Sequence, residues 1–150
     1  MLSRNNFCML MIVLILSVFI TDVIGEEEIK YTNDQDGNEF YYDKDSIKRK
    51  SGIMKVWETV KFSNKNQLWR RGVDLCSKYS ETNPSLDCNR LSHIKFLTEI
   101  NCEEDMRRFI SVVDYDEDGR VLYSKSFPSQ QWDYIISGSL ADTLKNIICK

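Results

Sequence analysis

The stretch His93-Ile94-Lys95-Phe96-Leu97-Thr98-Glu99-Ile100-Asn101-Cys102, followed by Phe109-Ile110-Ser111-Val112-Val113-Asp114-Tyr115, decides the fold class of this chain. In the first segment every second residue, Ile94, Phe96, Thr98, Ile100 and Cys102, falls on one face, the period of a strand with one side toward a core. In the second, Phe109, Ser111, Val113 and Tyr115 share a face in the same way. Asp116-Glu117-Asp118-Gly119 then supplies turn formers and Val121 to Ser124 returns the chain, so a hairpin follows a strand.

Working outward toward the N-terminus, Ile53 to Phe62 alternates, with Met54, Val56, Val60 and Phe62 on one face and Lys55, Trp57, Thr59 and Lys61 on the other. Glu39 to Tyr42 is aromatic-rich strand material, and Asp43 to Ile47 reads as a short helical turn that closes at Ser51-Gly52. Glu28 to Tyr31, followed by Asn33, Asp34, Asp36 and Gly37, predicts a strand and a turn. Ser63 to Leu91 has the least periodicity; it reads as a loop-rich excursion in which Gln67 to Tyr79 can hold a short helix. Toward the C-terminus, Trp132 to Ile136 is a short apolar run. Ser139 with Asp142 starts a helix whose apolar face is Leu140, Leu144, Ile147 and Ile148. Strands that follow one another without intervening helices predict an antiparallel sheet with a C-terminal helix packed on one face, an α+β fold.

Residues 1–25 differ in kind from the rest. Arg4 precedes an apolar run from Phe7 to Ile20, about 14 apolar residues against the about 20 that a bilayer core needs, and Val23-Ile24-Gly25 ends on a small residue. The expectation is a cleaved secretory signal over 1–25 and one domain over 26–150, with no stable membrane span once the signal is gone. The alternative is an uncleaved N-terminal anchor. Lipid attachment lacks its cysteine, since Cys8 lies inside the apolar run. The segment carries one base and one acid, so the net charge of -3 is unchanged without it. That mild acidity, with no long basic run, argues against nucleic-acid binding, and 42% apolar residues argue against disorder.

Four cysteines remain, Cys76, Cys88, Cys102 and Cys149, and an even count in an exported chain predicts two disulfides with three possible connectivities. Proximity favours Cys76 with Cys88, which leaves Cys102 to clamp Cys149; the two loops would contribute about 3 and about 4 kcal/mol. No C-x-x-C occurs and His93 is the only histidine, so zinc is not expected. Asp114, Asp116, Asp118 and Gly119 match the first half of a calcium loop, but position twelve is Lys125 where a glutamate is needed. The stretch is read as a hairpin turn with its carboxylates in water. His93 beside Ser92 has no nucleophile motif to serve and is read as a strand-edge residue. Trp57, Trp69, Trp132 and seven tyrosines fill a core first, with an exposed binding patch as the competing use. No catalytic residue, metal site or cofactor is expected.

These residues also carry a family resemblance. Glu39-Phe40-Tyr41-Tyr42-Asp43, Ser46-Ile47-Lys48-Arg49 and Gly52-Ile53-Met54-Lys55-Val56-Trp57 resemble the start of the surface-adhesin protein E family. Ile100-Asn101-Cys102, Arg107-Arg108, the Tyr115-Asp116-x-x-Gly119 turn, Trp132-Asp133-Tyr134-Ile135 and Gly138-Ser139 ahead of a helix ending in Cys149 are similar to its later signatures, in the same order. The resemblance implies a bacterial exported domain on a bent antiparallel sheet with helical pieces, with Cys102–Cys149 as the shared bridge. Its namesake is a surface lipoprotein adhesin that binds host matrix and serum proteins. This chain departs from it in lacking a lipidation cysteine and in carrying the Cys76–Cys88 excursion. The resulting expectation is a non-enzymatic protein-binding or envelope-associated module, periplasmic, secreted or at the cell surface. Its partner would be an extracellular or envelope protein, with a homodimer left open. The alternative is a small periplasmic enzyme or ligand carrier, which would want more than one histidine and a free thiolate or metal cluster.

Overall fold

In the computed structural model the described residues are 27–79 and 86–150; the expected signal segment lies outside them. The strands are β1 (Glu28–Asn33), β2 (Glu39–Asp43), β3 (Lys48–Lys50), β4 (Ile53–Lys61), β5 (Leu91–Asn101), β6 (Met106–Asp116), β7 (Val121–Ser126) and β8 (Asp133–Tyr134). They form one antiparallel sheet in the order β1-β2-β4-β5-β6-β7, with β3 extending the lane of β2 beside β4 and β8 extending that of β7 beside β6. Two helices, α1 (Gln67–Tyr79) and α2 (Leu140–Ile148), complete the described structure with two 3-10 turns at Lys44–Ser46 and Cys88–Arg90.

The β4–β5 ladder runs without a break from Ile53↔Asn101 to Lys61↔His93. Directly paired residues share a face. Met54 and Val56 therefore lie with Thr98 and Ile100, and Val60 with Ile94, as the alternation predicts. Glu58 falls on the same apolar face, opposite Phe96, and is buried there. Thr98 Oγ1 donates to one of its oxygens and the Tyr31 hydroxyl donates to the other at 2.9 Å, which satisfies the carboxyl inside the core. Burial pushes this carboxyl up, against the pull of those two donors and of Arg107.

The β5–β6 pairing corrects one expectation. Its register shifts between Leu97↔Ser111 and Thr98↔Phe109, leaving Ile110 as the extra residue of a bulge. Phe109 shares the core face with Thr98 as expected. Beyond the bulge the parity inverts, so Val112 and Asp114, opposite Phe96 and Ile94, turn to the core face while Ser111, Val113 and Tyr115 turn away from it.

Both helices pack on this one face. Leu144 and Ile148 of α2 close over Tyr42, Met54, Val56 and Ile100, and Trp69 and Cys76 of α1 pack with Leu91, Ile94 and Leu122. Ser139 caps α2 by accepting from the Asp142 amide, and the Asp142 carboxylate accepts from the Gly138 amide. Within the excursion from Ser63 to Leu91, the short helix that the sequence allowed over Gln67 to Tyr79 is present, with 13 residues. The Asn66 side chain caps that helix by accepting from the Trp69 amide, and its own amide donates to the fully buried Asn38. Asn38 is in turn held by Asp34, which ties the β1–β2 turn to the start of α1. The Trp69 indole donates to the Leu91 carbonyl, so tertiary contacts give this polar segment its helix. The disulfides pair as proximity favours. Cys76–Cys88 staples α1 to the turn before β5, and Cys102–Cys149 ties the end of β5 to the end of α2, with Cα separations of 5.9 and 5.7 Å.

The acidic turn is a hairpin, closed by the Asp116 amide on the Arg120 carbonyl and the Gly119 amide on the Asp116 carbonyl, with Gly119 at φ +76. Its carboxylates are not all in water, as the hairpin reading expected. Asp116 is buried and accepts from the backbone amides of Asp118 and Arg120 and from Arg120 Nε at 2.9 Å. Asp118 is exposed and pairs with Arg90 and Arg120. Asp114 points into the core, where its Oδ1 has no hydrogen-bond partner, because the bulge in β6 sets its parity. Burial pushes this carboxyl up to about 7.

Two outcomes follow. A Cβ added at Gly72 would meet Leu91 Cδ2 at 2.7 Å and Ile94 Cδ1 at 3.1 Å. Two close contacts with buried side chains put Gly72→Ala toward the upper part of the about 1–3 kcal/mol cost of overpacking, above the about 1 kcal/mol that alanine adds to helix propensity. A lower urea midpoint checks it, and a raised midpoint contradicts it. For Asp114, the folded carboxyl titrates above its unfolded value of 3.8. Its destabilising effect is absent below that pH, grows as pH rises, and is complete above about 7. Asp114→Asn should leave melting near pH 4 little changed and melt progressively higher than the parent as pH rises to 8. A gap independent of pH would rule this out.

Candidate functional site

The face of the sheet opposite the helices is built from the other half of each strand's alternation. Its middle row is Trp57 of β4, Leu97 of β5 and Ser111 of β6, with Val113 one step further along β6. All are half-buried by one another and by their flanking side chains. Residues two apart on a strand are about 7 Å apart, so the next rows bring Lys55 with Glu99 and Arg108 on one side, and Thr59 with Lys95 and Val113 on the other. One row beyond the second, Glu39, Lys61, His93 and Tyr115 align across four strands.

Among the strand residues of this face Lys30, Lys48, Lys55, Lys61, Lys95 and Arg108 outnumber Glu28, Glu39 and Glu99 by three, Lys50 and Asp43 at the margins cancel, and Asp45 of the adjoining 3-10 turn takes back one charge. The chain as a whole carries -3, so the charge is segregated. Each central carboxylate is gripped by several donors. Glu28 takes Lys61 at 2.7 Å and the Thr59 hydroxyl at 2.7 Å, with Lys95 at 3.8 Å. Glu99 takes Lys55 at 3.0 Å and Arg108 at 2.7 Å. Burial raises both carboxyls, but these cations and hydrogen bonds outweigh it and hold them below the ordinary glutamate value. Both acids stay ionised at neutral pH, and the surplus positive charge remains on the face.

The aromatic rings of the face have their own partners. Lys61 Nζ lies 4.2 Å from the Tyr41 ring centre, Arg108 sits 4.4 Å over Trp132, and His93 stacks on Tyr115 at 4.8 Å. Two shallow depressions flank the apolar row. One of about 530 Å³ is lined by Glu28, Tyr41, Lys61, His93 and Lys95. The other, of about 250 Å³, is lined by Lys48, Lys55, Trp57 and Leu97 with Asp45 and Ser46.

The residues singled out in the sequence separate into two groups. The four cysteines join the helices to the sheet and contribute no thiol to this face. Asp114 and Asp116 are buried and Asp118 is taken up by arginines. His93 does reach the face, half-buried against Tyr115, with Nδ1 3.5 Å from Ser92 Oγ. The tryptophans divide: Trp69 is core, Trp57 lies in the central row of the face, and Trp132 covers its margin. Sequence reading had the polar side of β4 in hand, with Lys55, Trp57, Thr59 and Lys61. It missed that Lys95, Leu97 and Glu99 of β5 stand directly beside them, which the opposite alternation of β5 could have signalled.

Comparison with known proteins agrees with this architecture. The surface-adhesin protein E family model matches residues 29–150. Among solved structures, Haemophilus influenzae protein E superposes with a TM-score of 0.54 at 14% identity, covering 84% of this chain and 86% of that one. A second crystal form of it gives 0.53 at 14%, covering 84% and 89%. Its selenomethionine form gives 0.54 at 16%, covering 84% and 88%. At such identities the likeness speaks for the fold. No curated protein sequence matches the chain. The family match runs through every described strand and helix, and the chain therefore belongs to the surface-adhesin protein E family.

Proposed function

We propose that this protein is an exported, non-enzymatic module that binds extracellular or envelope proteins through the sheet face opposite its helices. The observation that carries the reading is the asymmetry of the sheet. Helices, disulfides and both core clusters occupy one side, while the other presents a ring-bound, cation-rich surface with Trp57 and Leu97 at its centre. Interfaces of moderate affinity have this layout, with an aromatic and aliphatic centre and a charged rim. Family membership points the same way. Two disulfides suit an oxidising compartment, either the periplasm or the cell surface. No described helix is long and apolar enough to cross a membrane. All four cysteines of the described residues are bonded in pairs, which supports binding over thiol chemistry.

Two measurements test this. Intact-mass analysis of the full chain expressed in a bacterial host should find an extracytoplasmic product beginning near Glu26; a product that keeps residues 1–25, or gains a lipid mass, goes against it. In binding assays against a panel of purified extracellular-matrix proteins, Trp57→Ala should weaken any positive interaction by about 1–3 kcal/mol. Arg70→Glu, on the exposed side of α1, should leave it unchanged. No binding to any panel member, or equal loss from both variants, would count against the face as the adhesive surface.

A further inference from the structure

We infer that the element this face receives is an acidic protein segment with an apolar side chain, the side chain seating on Trp57 and Leu97 and its flanking carboxylates reaching the lysines on either side. The inference rests on the adhesive reading above and adds the chemistry of the partner. Its basis is the order of rows along the strands. The apolar pair Trp57↔Leu97 sits between Lys55 and Thr59 on β4 and between Glu99 and Lys95 on β5, so cations stand one step away in both directions. Lys48 pairs with Lys55 on the edge lane and extends one positive flank, and Lys61 extends the other.

Two carboxylates, Glu28 and Glu99, occupy the middle of these flanks, but each is shared by two cations, so the flanks remain positive. Lys55 and Lys61, whose side chains are 39% and 44% exposed, exchange partners at little cost, because such ion pairs contribute only about 0–1 kcal/mol, while the more buried Lys95 adds its charge to the flank from its place beside Glu28. With the apolar side chain on the central row, the cations of both neighbouring rows lie about 7 Å from it, and carboxylates flanking that side chain come at least as near to them. That is within the screening length of about 8 Å at physiological salt.

The aliphatic surface beside Trp57 favours an acidic protein over an acidic glycan. Sugars stack on open ring faces, and here Tyr41 has one side taken by Lys61, Trp132 by Arg108, and His93 and Tyr115 by each other, which leaves Trp57 as the one central ring to stack on. Leu97 and Val113 offer aliphatic surface, which suits an apolar side chain better than a polyhydroxylated ring.

The test uses the full chain and a fluorescein-labelled peptide in which glutamates flank a single phenylalanine, read by anisotropy. The peptide should bind saturably, and the dissociation constant should rise about tenfold or more between about 50 and 300 mM salt. Replacing its phenylalanine by serine should weaken binding about tenfold. The double variant Lys55→Glu/Lys95→Glu should abolish it, and Arg70→Glu should not change it. A lysine-for-glutamate peptide that binds equally well, or a double variant within about twofold of the parent, would overturn the inference. Tighter binding of a heparin oligosaccharide at the same lysines, with the phenylalanine irrelevant, would overturn it in favour of a glycan. Matrix-protein binding that is lost in Trp57→Ala yet insensitive to salt and to peptide competition would sink the acidic-segment inference alone. Matrix-protein binding indifferent to Trp57→Ala would sink the adhesive reading.

Discussion

The uninterrupted pairing of β4 with β5 is the constraint on which the rest of the structure depends. Nine residues of β4, from Ile53 to Lys61, lie in register with Asn101 back to His93, so the alternation of two separate segments is locked in one phase. A slip of one residue would exchange their two faces, burying Lys55 and Lys95 and exposing Val56 and Ile100. Burial of the apolar set against Leu144, Ile148, Trp69 and Cys76 opposes such a slip. Both the core and the candidate binding face are products of that one register.

The disulfides extend this constraint to elements that the sheet alone would hold weakly. Helix α2 has nine residues and α1 has thirteen, near or below the length at which isolated helices are stable in water. Cys102–Cys149 carries the end of β5 directly to α2, and Cys76–Cys88 carries α1 to the turn that starts β5. Both staples therefore converge on the central strand. The sequence separation of 47 for the first pair places its larger entropic effect on the C-terminal helix. The opposite face of the sheet owes its uncovered state to this arrangement, since both helices are committed to the other side.

The bulge at Ile110 shows how a local irregularity changes both core and surface. Without it, Ser111, Val113 and Tyr115 would continue on the face of Phe109. With it, Val113 and Tyr115 join the cationic face, and Asp114 enters the core with one oxygen unpartnered. The His93–Tyr115 stack that closes one end of the face exists only because of this inversion. A core carboxyl with one oxygen left without a donor is a cost the fold accepts where the surrounding register is over-determined.

The sequence by itself determined the elements whose signals are periodic or stereochemical. Alternation in Ile53–Phe62 and His93–Cys102, the Asp116–Gly119 turn, the Ser139 cap and the even cysteine count are local properties, and each appears in the fold. The resemblance of Glu39–Trp57 and Ile100–Cys149 to the adhesin family was legible for the same reason, as an ordered series of short signatures. Tertiary structure alone decided the rest. A bulge adds one residue without a compositional mark, so the inverted face of β6 and the burial of Asp114 could not be read from alternation. Helix α1 has a polar sequence, and its form depends on Asn38, Leu91 and Cys88, residues far from it along the chain. Glu58 looks like solvent-facing charge until Thr98 and Tyr31 from other strands supply its donors. The binding face is legible only as half-patterns, because lysines and apolar residues on β2, β4, β5 and β6 become one surface through cross-strand register, which no single segment encodes.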